Sequence, residues 1–225
     1  MKTLSKAVAI ASLVSASALT AQVANAEVEY SAGLATTYLW RGTDLGGAAF
    51  SAAADYSHDS GLYAGLWVSS GDLALGNEYD LYVGYALEAG PVSVDVAVAT
   101  YTYSSATETE IDLVNDTITT GDAGDGSPGE LSELIVGLGF ADASLGYITN
   151  LDDTDYQYIT LGYSVAGVDL TYGMSDDGAG SEYSHFDVSY GLTDELAITV
   201  SKPIDDTAGV DEDAIVVMSY SLPIK

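Results

Sequence analysis

The most regular stretch of the chain is Asn77–Glu88. Its odd positions are Tyr79, Leu81, Val83, Tyr85 and Leu87, and its even positions are Glu78, Asp80, Tyr82, Gly84, Ala86 and Glu88. Side chains of a strand alternate between two faces, whereas a helix would mix these two sets. The pattern predicts a strand with one apolar face, aromatic near both ends, and one acidic or small face. Pro91–Tyr103 repeats it, with Val92, Val94, Val96 and Val98 opposite Ser93, Asp95, Ala97 and Ala99. The same alternation recurs in twelve segments, near residues 28–40, 48–58, 61–69, 77–88, 92–103, 130–140, 143–149, 155–165, 168–174, 182–191, 195–202 and 213–222. Short connections (58–60, 89–90, 141–142, 166–167, 192–194) alternate with longer ones (41–47, 70–76, 104–129, 150–154, 175–181, 203–212). An antiparallel up-and-down meander produces this order when all tight turns lie at one end and all long loops at the other.

An apolar strand face meets either a dry core or lipid. Three features favour lipid. One aromatic stands near the tight-turn end of each descending strand, at Tyr56, Tyr85, Phe140, Tyr163, Tyr190 and Tyr220, joined by Tyr30. The other rim offers Tyr38, Trp40, Phe50, Tyr79, Tyr147 and Tyr172. Two rings of amphipathic aromatics are what the two membrane interfaces select. The opposite face carries small residues such as Gly33, Gly84, Ala97, Gly137, Gly173 and Ser201, together with Asp55, Asp80, Asp95, Glu133, Asp169 and Asp187. Six carboxylates with almost no basic partner would be costly in a dry interior but not in a wet lumen. The third feature is address and size. Met1–Lys6 is basic, Ala7–Ala21 is apolar and Ala24-Asn25-Ala26 is a small-x-small site, the pattern of a secretory signal peptide over residues 1–26. Residues 27–225 are then long enough for twelve membrane-crossing strands of about 9–11 residues each. The expected fold is all-β, a transmembrane antiparallel up-and-down β-barrel of about twelve strands in a bacterial outer membrane.

Charge narrows the partners. Without residues 1–26 the chain keeps three basic side chains, Arg41, Lys202 and Lys225, against 34 acidic ones, a net charge of −31. Replacing phosphate counterions needs Lys and Arg, so nucleic acid is excluded as a partner. With no Cys in the chain, thiolate metal sites, disulfides and cysteine catalysis are excluded. No cofactor and no metal site is expected: no phosphate-cradling loop opens a helix, and none of the acidic runs has EF-hand spacing. Those runs (Asp122 and Asp125; Asp152, Asp153 and Asp155; Asp205, Asp206, Asp211, Glu212 and Asp213) invite loose divalent cations bridging to lipopolysaccharide phosphates, or serve only as a solvated, self-repelling surface.

The segment Leu34–Asp72 resembles the N-terminal signature of the TorF-type porin family of bacterial outer-membrane β-barrels. The matching pieces are Tyr38-x-x-Arg41-Gly42, then Asp55-Tyr56-x-His58-x-x-Gly61-x-Tyr63-x-Gly65-x-Trp67. Further blocks are Glu78-Tyr79-Asp80-Leu81-Tyr82-x-Gly84-Tyr85 and Val94-Asp95-Val96 with Tyr101-Thr102-Tyr103. The likeness covers roughly residues 30–103 well. It implies a barrel and a pore, with outer-membrane lipid and the outer-membrane assembly machinery as partners. The chain departs from the habit of such barrels of ending in an aromatic residue: its last residues are Tyr220-Ser221-Leu222-Pro223-Ile224-Lys225.

The expected function is passive diffusion of small hydrophilic solutes, not an enzyme activity. Asp55, Asp80, Asp95, Glu133, Asp169 and Asp187 are expected to line the pore and to favour cations. Arg41 is placed by parity on the lumen face at the top of the first strand, either as a constriction cation paired to a lumen carboxylate or as a rim ion pair of little worth. The 104–129 loop is long enough to fold inward. Three alternatives stay open. Tyr63, Tyr82, Tyr101 and Tyr103 would fill the lumen of a non-conducting structural barrel. His185 with Asp187 would serve a barrel hydrolase, although residues two apart on one strand lie about 6.5–7 Å apart and need partners from elsewhere. The third is a soluble periplasmic β protein. His58, ahead of a tight turn, reads as a surface histidine.

Overall fold

The computed structural model describes residues 27–104, 107–112, 117–122, 131–151, 155–206, 209–210 and 213–224. The proposed signal peptide lies outside them. Sixteen strands follow in chain order: β1 (Glu27–Ala35), β2 (Tyr38–Trp40), β3 (Thr43–Gly46), β4 (Ala49–Ser57), β5 (Leu62–Asp72), β6 (Gly76–Ala89), β7 (Val92–Tyr103), β8 (Thr107–Asp112), β9 (Thr117–Asp122), β10 (Leu131–Phe140), β11 (Ala143–Asn150), β12 (Gln157–Val165), β13 (Val168–Asp176), β14 (Glu182–Gly191), β15 (Leu196–Asp206) and β16 (Ile215–Ser221). Among the described residues there is no helix.

Twelve of these strands close into a barrel in which every neighbour pair is antiparallel, and β1 meets β16. The remaining four form two hairpins, β2–β3 and β8–β9. The wall strands thus match the twelve alternating segments in number and place. Tight turns join them at one end; Ala166-Gly167, with φ of 53° and 82°, is a two-residue turn of the mirror-image type that follows strand twist. The closing ladder is short. β1 and β16 pair at three positions, Gly33–Ala35 with Ser219–Ser221, whereas β1 and β4 pair at nine.

The faces divide as the alternation requires. Tyr79, Leu81, Val83, Tyr85 and Leu87 are exposed on the outside of β6, and Val96 and Val98 on β7. Tyr30, Tyr56, Tyr85, Phe140, Tyr163, Tyr190 and Tyr220 are all exposed at the tight-turn end. At the loop end Phe50 and Tyr79 are exposed, and Tyr147 and Tyr172 half-buried. Inside, small residues leave room for tyrosines. The Tyr63 ring lies over Gly84 and the Tyr82 ring over Gly65, in a reciprocal exchange between directly paired positions of β5 and β6. Ala97, Ala99, Ile135 and Ile148 make an apolar patch with Tyr101 and Tyr158.

The first strand differs from expectation. The segment expected as one strand over 28–40 leaves the wall after Ala35, bends at Thr36-Thr37 and re-enters as β2. Tyr38 and Trp40 therefore do not join the loop-end aromatic ring. Tyr38 is buried inside the barrel beside Trp67, with ring centroids 6.3 Å apart. The reason is a second turn: Arg41-Gly42, with φ of 47° and 83°, reverses the chain into β3 and makes a hairpin short enough to fold into the mouth. That hairpin, from residues 38–46, is the inserted element. The 104–129 segment contains Ser104, which bonds Asn77, and β8–β9, which pair with one another; its other residues lie outside the described ones.

Candidate functional site

The β2–β3 hairpin touches side chains of five wall strands or their flanks: β5, β6, β10, β12 and β14. Its tip carries Arg41, 7% exposed. Arg41 Nη1 and Nη2 donate to Glu133 Oε1 and Oε2 at 2.9 and 2.6 Å, the bidentate geometry that suits a planar guanidinium and a carboxylate. Nη1 also donates to the Tyr156 hydroxyl at 2.6 Å. The guanidinium carbon lies 4.4 Å from the Trp40 ring centre, 4.9 Å from Tyr158 and 5.4 Å from Tyr156. The Tyr101 hydroxyl donates to Glu133 Oε2 at 2.7 Å and fixes the carboxylate. Arg41 thus sits in an acidic, aromatic box, and a left-handed backbone that non-glycine residues seldom adopt is held there by the side chain's partners.

Gly42 lies against the His185 ring, so close that a Cβ would collide with it. His185 is 1% exposed, with Nδ1 2.9 Å from Asp187 Oδ1 and Nε2 2.7 Å from the Tyr158 hydroxyl. Both ring nitrogens are thereby engaged. Ser189 bonds Thr199 instead, hydroxyl to hydroxyl at 2.8 Å. At the base of the hairpin the Tyr38 hydroxyl donates to Glu78, whose other oxygen accepts from Tyr103 at 3.2 Å. Between hairpin and wall lies a cavity of about 20 Å³ lined by Thr37, Tyr38, Leu39, Trp67 and their neighbours, room for about one water.

The six carboxylates singled out by parity fall into distinct settings. Glu133 holds Arg41. Asp80 is 0% exposed and lies against the Glu78 carboxyl, with Glu133 its next acidic neighbour. Asp187 supports His185 beneath the hairpin tip. Nearer the tight-turn end, Asp55 accepts from Tyr82, and Asp95 accepts from Tyr63 at 2.9 Å. Asp169 stands apart and accepts from Ser164 at 2.5 Å. Arg41 is at the hairpin tip, not at the top of a wall strand. Glu78, Tyr38, Tyr156, Tyr158 and Trp40 complete the site. Of these, Glu78 shares the inward face of β6 with Asp80, and parity alone marks it.

His58 is exposed and local: its Nδ1 lies 2.9 Å from Ser60 Oγ and accepts from the Ser60 amide at 3.1 Å. Among the described residues no three His, Asp or Glu side chains converge to hold a metal ion. The acidic runs invoked for divalent cations fall largely outside the described side chains; Asp155 and Asp213 are within them.

A family model described as "Bacterial protein of unknown function (Gcw_chp)" matches residues 20–215. Among solved structures, the chain is similar to the KdgM porin, with a TM-score of 0.48 and 7% identity over 87% of this chain and 96% of that one. It is also similar to OccAB4 of Acinetobacter baumannii (TM-score 0.43, 10% identity, 79% and 54% covered) and OccK8 of Pseudomonas aeruginosa (TM-score 0.42, 14% identity, 87% and 63% covered). Sequence comparison with curated proteins finds no match.

Proposed function

The chain belongs to the Gcw_chp family of bacterial proteins of unknown function, and from that premise we propose that it is an outer-membrane barrel acting as a porin-like channel for small hydrophilic solutes. The observation that carries the reading is the division of the closed wall: apolar and aromatic side chains exposed outside, carboxylates and tyrosines inside. An exposed apolar belt of this extent needs lipid to cover it. The likeness of residues 30–103 to TorF-type porins supports the same reading. Passage is by diffusion and prefers cations, because Asp55, Asp80, Asp95, Glu133, Asp169 and Asp187 outnumber Arg41 on the inward side. With β2–β3 inserted the path is narrowed, and conduction follows withdrawal of the hairpin.

Recording in planar bilayers tests this. Wild-type protein is expected to show rare, brief openings. A variant lacking residues 37–47 is expected to open steadily and to pass potassium in preference to chloride. A hairpin-less barrel that stays silent overturns the channel and leaves the second reading, a non-conducting structural barrel. The reciprocal tyrosines of β5 and β6 and the apolar patch of the lumen favour that second reading. The hydrolase alternative has less support, since both His185 nitrogens are occupied and Ser189 bonds elsewhere.

A further inference from the structure

The lumen already holds a cation, and the way it holds it describes what fits there. Arg41 belongs to the hairpin, but most of its receptor belongs to the wall or its edge: Glu133 on β10, Tyr101 on β7, Tyr158 on β12 and Tyr156 immediately before β12. These side chains are positioned independently of Arg41. The Tyr101 hydroxyl orients the Glu133 carboxylate at 2.7 Å, and rigid strands carry three of the four. The fit is to a guanidinium in particular. Two parallel hydrogen bonds meet a carboxylate edge-on, a phenol oxygen takes a third N–H, and tyrosine rings lie against the cation, whereas an ammonium is a compact point charge without the fork.

A second observation points the same way. Glu78, Asp80 and Glu133 are three buried carboxyl groups beside one buried cation. When the hairpin withdraws, Tyr38 leaves Glu78 as Arg41 leaves Glu133, and acidic groups with no basic partner face the vacated space.

We infer that the wall site around Glu133, Tyr101, Tyr156 and Tyr158 binds guanidinium-bearing organic cations, and that Arg41 is its tethered occupant. The solute displaces Arg41, takes the Glu133 fork and so favours the withdrawn hairpin. This deepens the channel reading and rests on the lumen being reachable once the hairpin is out.

Binding is measured on the full chain in detergent micelles, by titration calorimetry and by the fluorescence of Trp40 and Trp67, the only two tryptophans. The probes are methylguanidinium and its neutral isostere N-methylurea. Arg41→Ala is expected to bind methylguanidinium saturably, at least tenfold more tightly than wild type, whose site is filled. Arg41→Ala combined with Glu133→Gln is expected to lose at least tenfold of that affinity, and N-methylurea to bind neither. Heat-modifiable gel mobility checks that each barrel is folded. Gly42→Val, which drives the hairpin off His185 and leaves the wall site intact, is a second route to the same gain. Equal affinity of Arg41→Ala and the double variant, or equal binding of the neutral isostere, overturns the inference. No current enters the measurement: binding without conductance removes the channel and keeps the site, whereas conductance without binding does the reverse.

Discussion

Arg41 and Glu133 have side chains 5% and 4% exposed, so neither charge is compensated by water if the other is removed. Breaking a buried pair by neutralising one partner costs about 3–5 kcal/mol. In this barrel that cost has an outlet: the hairpin leaves, and the guanidinium is solvated. Glu133→Gln is therefore expected to leave the wall folded and to expose the tip. Trypsin reads this directly. Arg41-Gly42 is a cleavable bond, whereas Lys202 is followed by Pro203, which protects it. Wild-type protein is expected to resist cutting after Arg41, and Glu133→Gln to be cut there at least tenfold faster; equal rates would show that the pair does not latch the hairpin. The pairing of Arg41 with a lumen carboxylate was one of two readings the sequence allowed. Which carboxylate, and at what depth, was not legible, because parity assigns a face to a residue but no neighbour across the lumen. Of the box tyrosines only Tyr101 is legible, as a lumen-filler; Tyr156 and Tyr158 carry no sequence signal of their own, and alternation places Tyr38 and Trp40 at the rim, where the hairpin does not put them.

At the level of strands, period two carried nearly everything. β6 and β7 were predictable over Glu78–Ala99, since there each outward position on Tyr79–Leu87 and Val92–Val98 is apolar and each inward one small, acidic or tyrosine. The exception is β1 with β2. Tyr30, Leu34, Tyr38 and Trp40 keep the same parity through the bend at Thr36-Thr37, so alternation runs on where the wall does not. Alternation reports which face a side chain takes, not which strand supplies the hydrogen bonds. The legible signal was Arg41-Gly42, a two-residue turn between short segments. An outward position tests what covers the belt. Val83, exposed near the middle of β6, replaced by Arg is expected to destabilise the lipid-embedded barrel by about 2–4 kcal/mol. The measurement is the urea midpoint of reversible unfolding in bilayers. A soluble barrel would lose little from an added surface charge, so an unchanged midpoint argues against a lipid-facing β6.

For the molecule as a whole, acid without base acts as a field. Carboxylates around a narrow lumen enrich counter-ions, and salt shortens the reach of that enrichment from about 10 Å at 0.1 M to about 3 Å at 1 M. The hairpin-less variant is expected to lose most of its preference for potassium over chloride across that range, read from reversal potentials. A ratio independent of salt would assign selectivity to contact sites instead. The seam has a different consequence, one of timing. All wall pairings but one join strands that follow each other along the chain or are separated by a single hairpin. The exception joins the ends: the Thr36 amide donates to the Met218 carbonyl and the Met218 amide to Thr36 Oγ1, both at 3.0 Å, 182 residues apart. Contacts of that sequence separation form late. Until β16 arrives, the wall is an open sheet with two raw edges, each a template for joining another chain. The three-residue ladder at the seam is thus the last part of the wall to form, and the nascent protein depends on reaching it before its edges find a stranger.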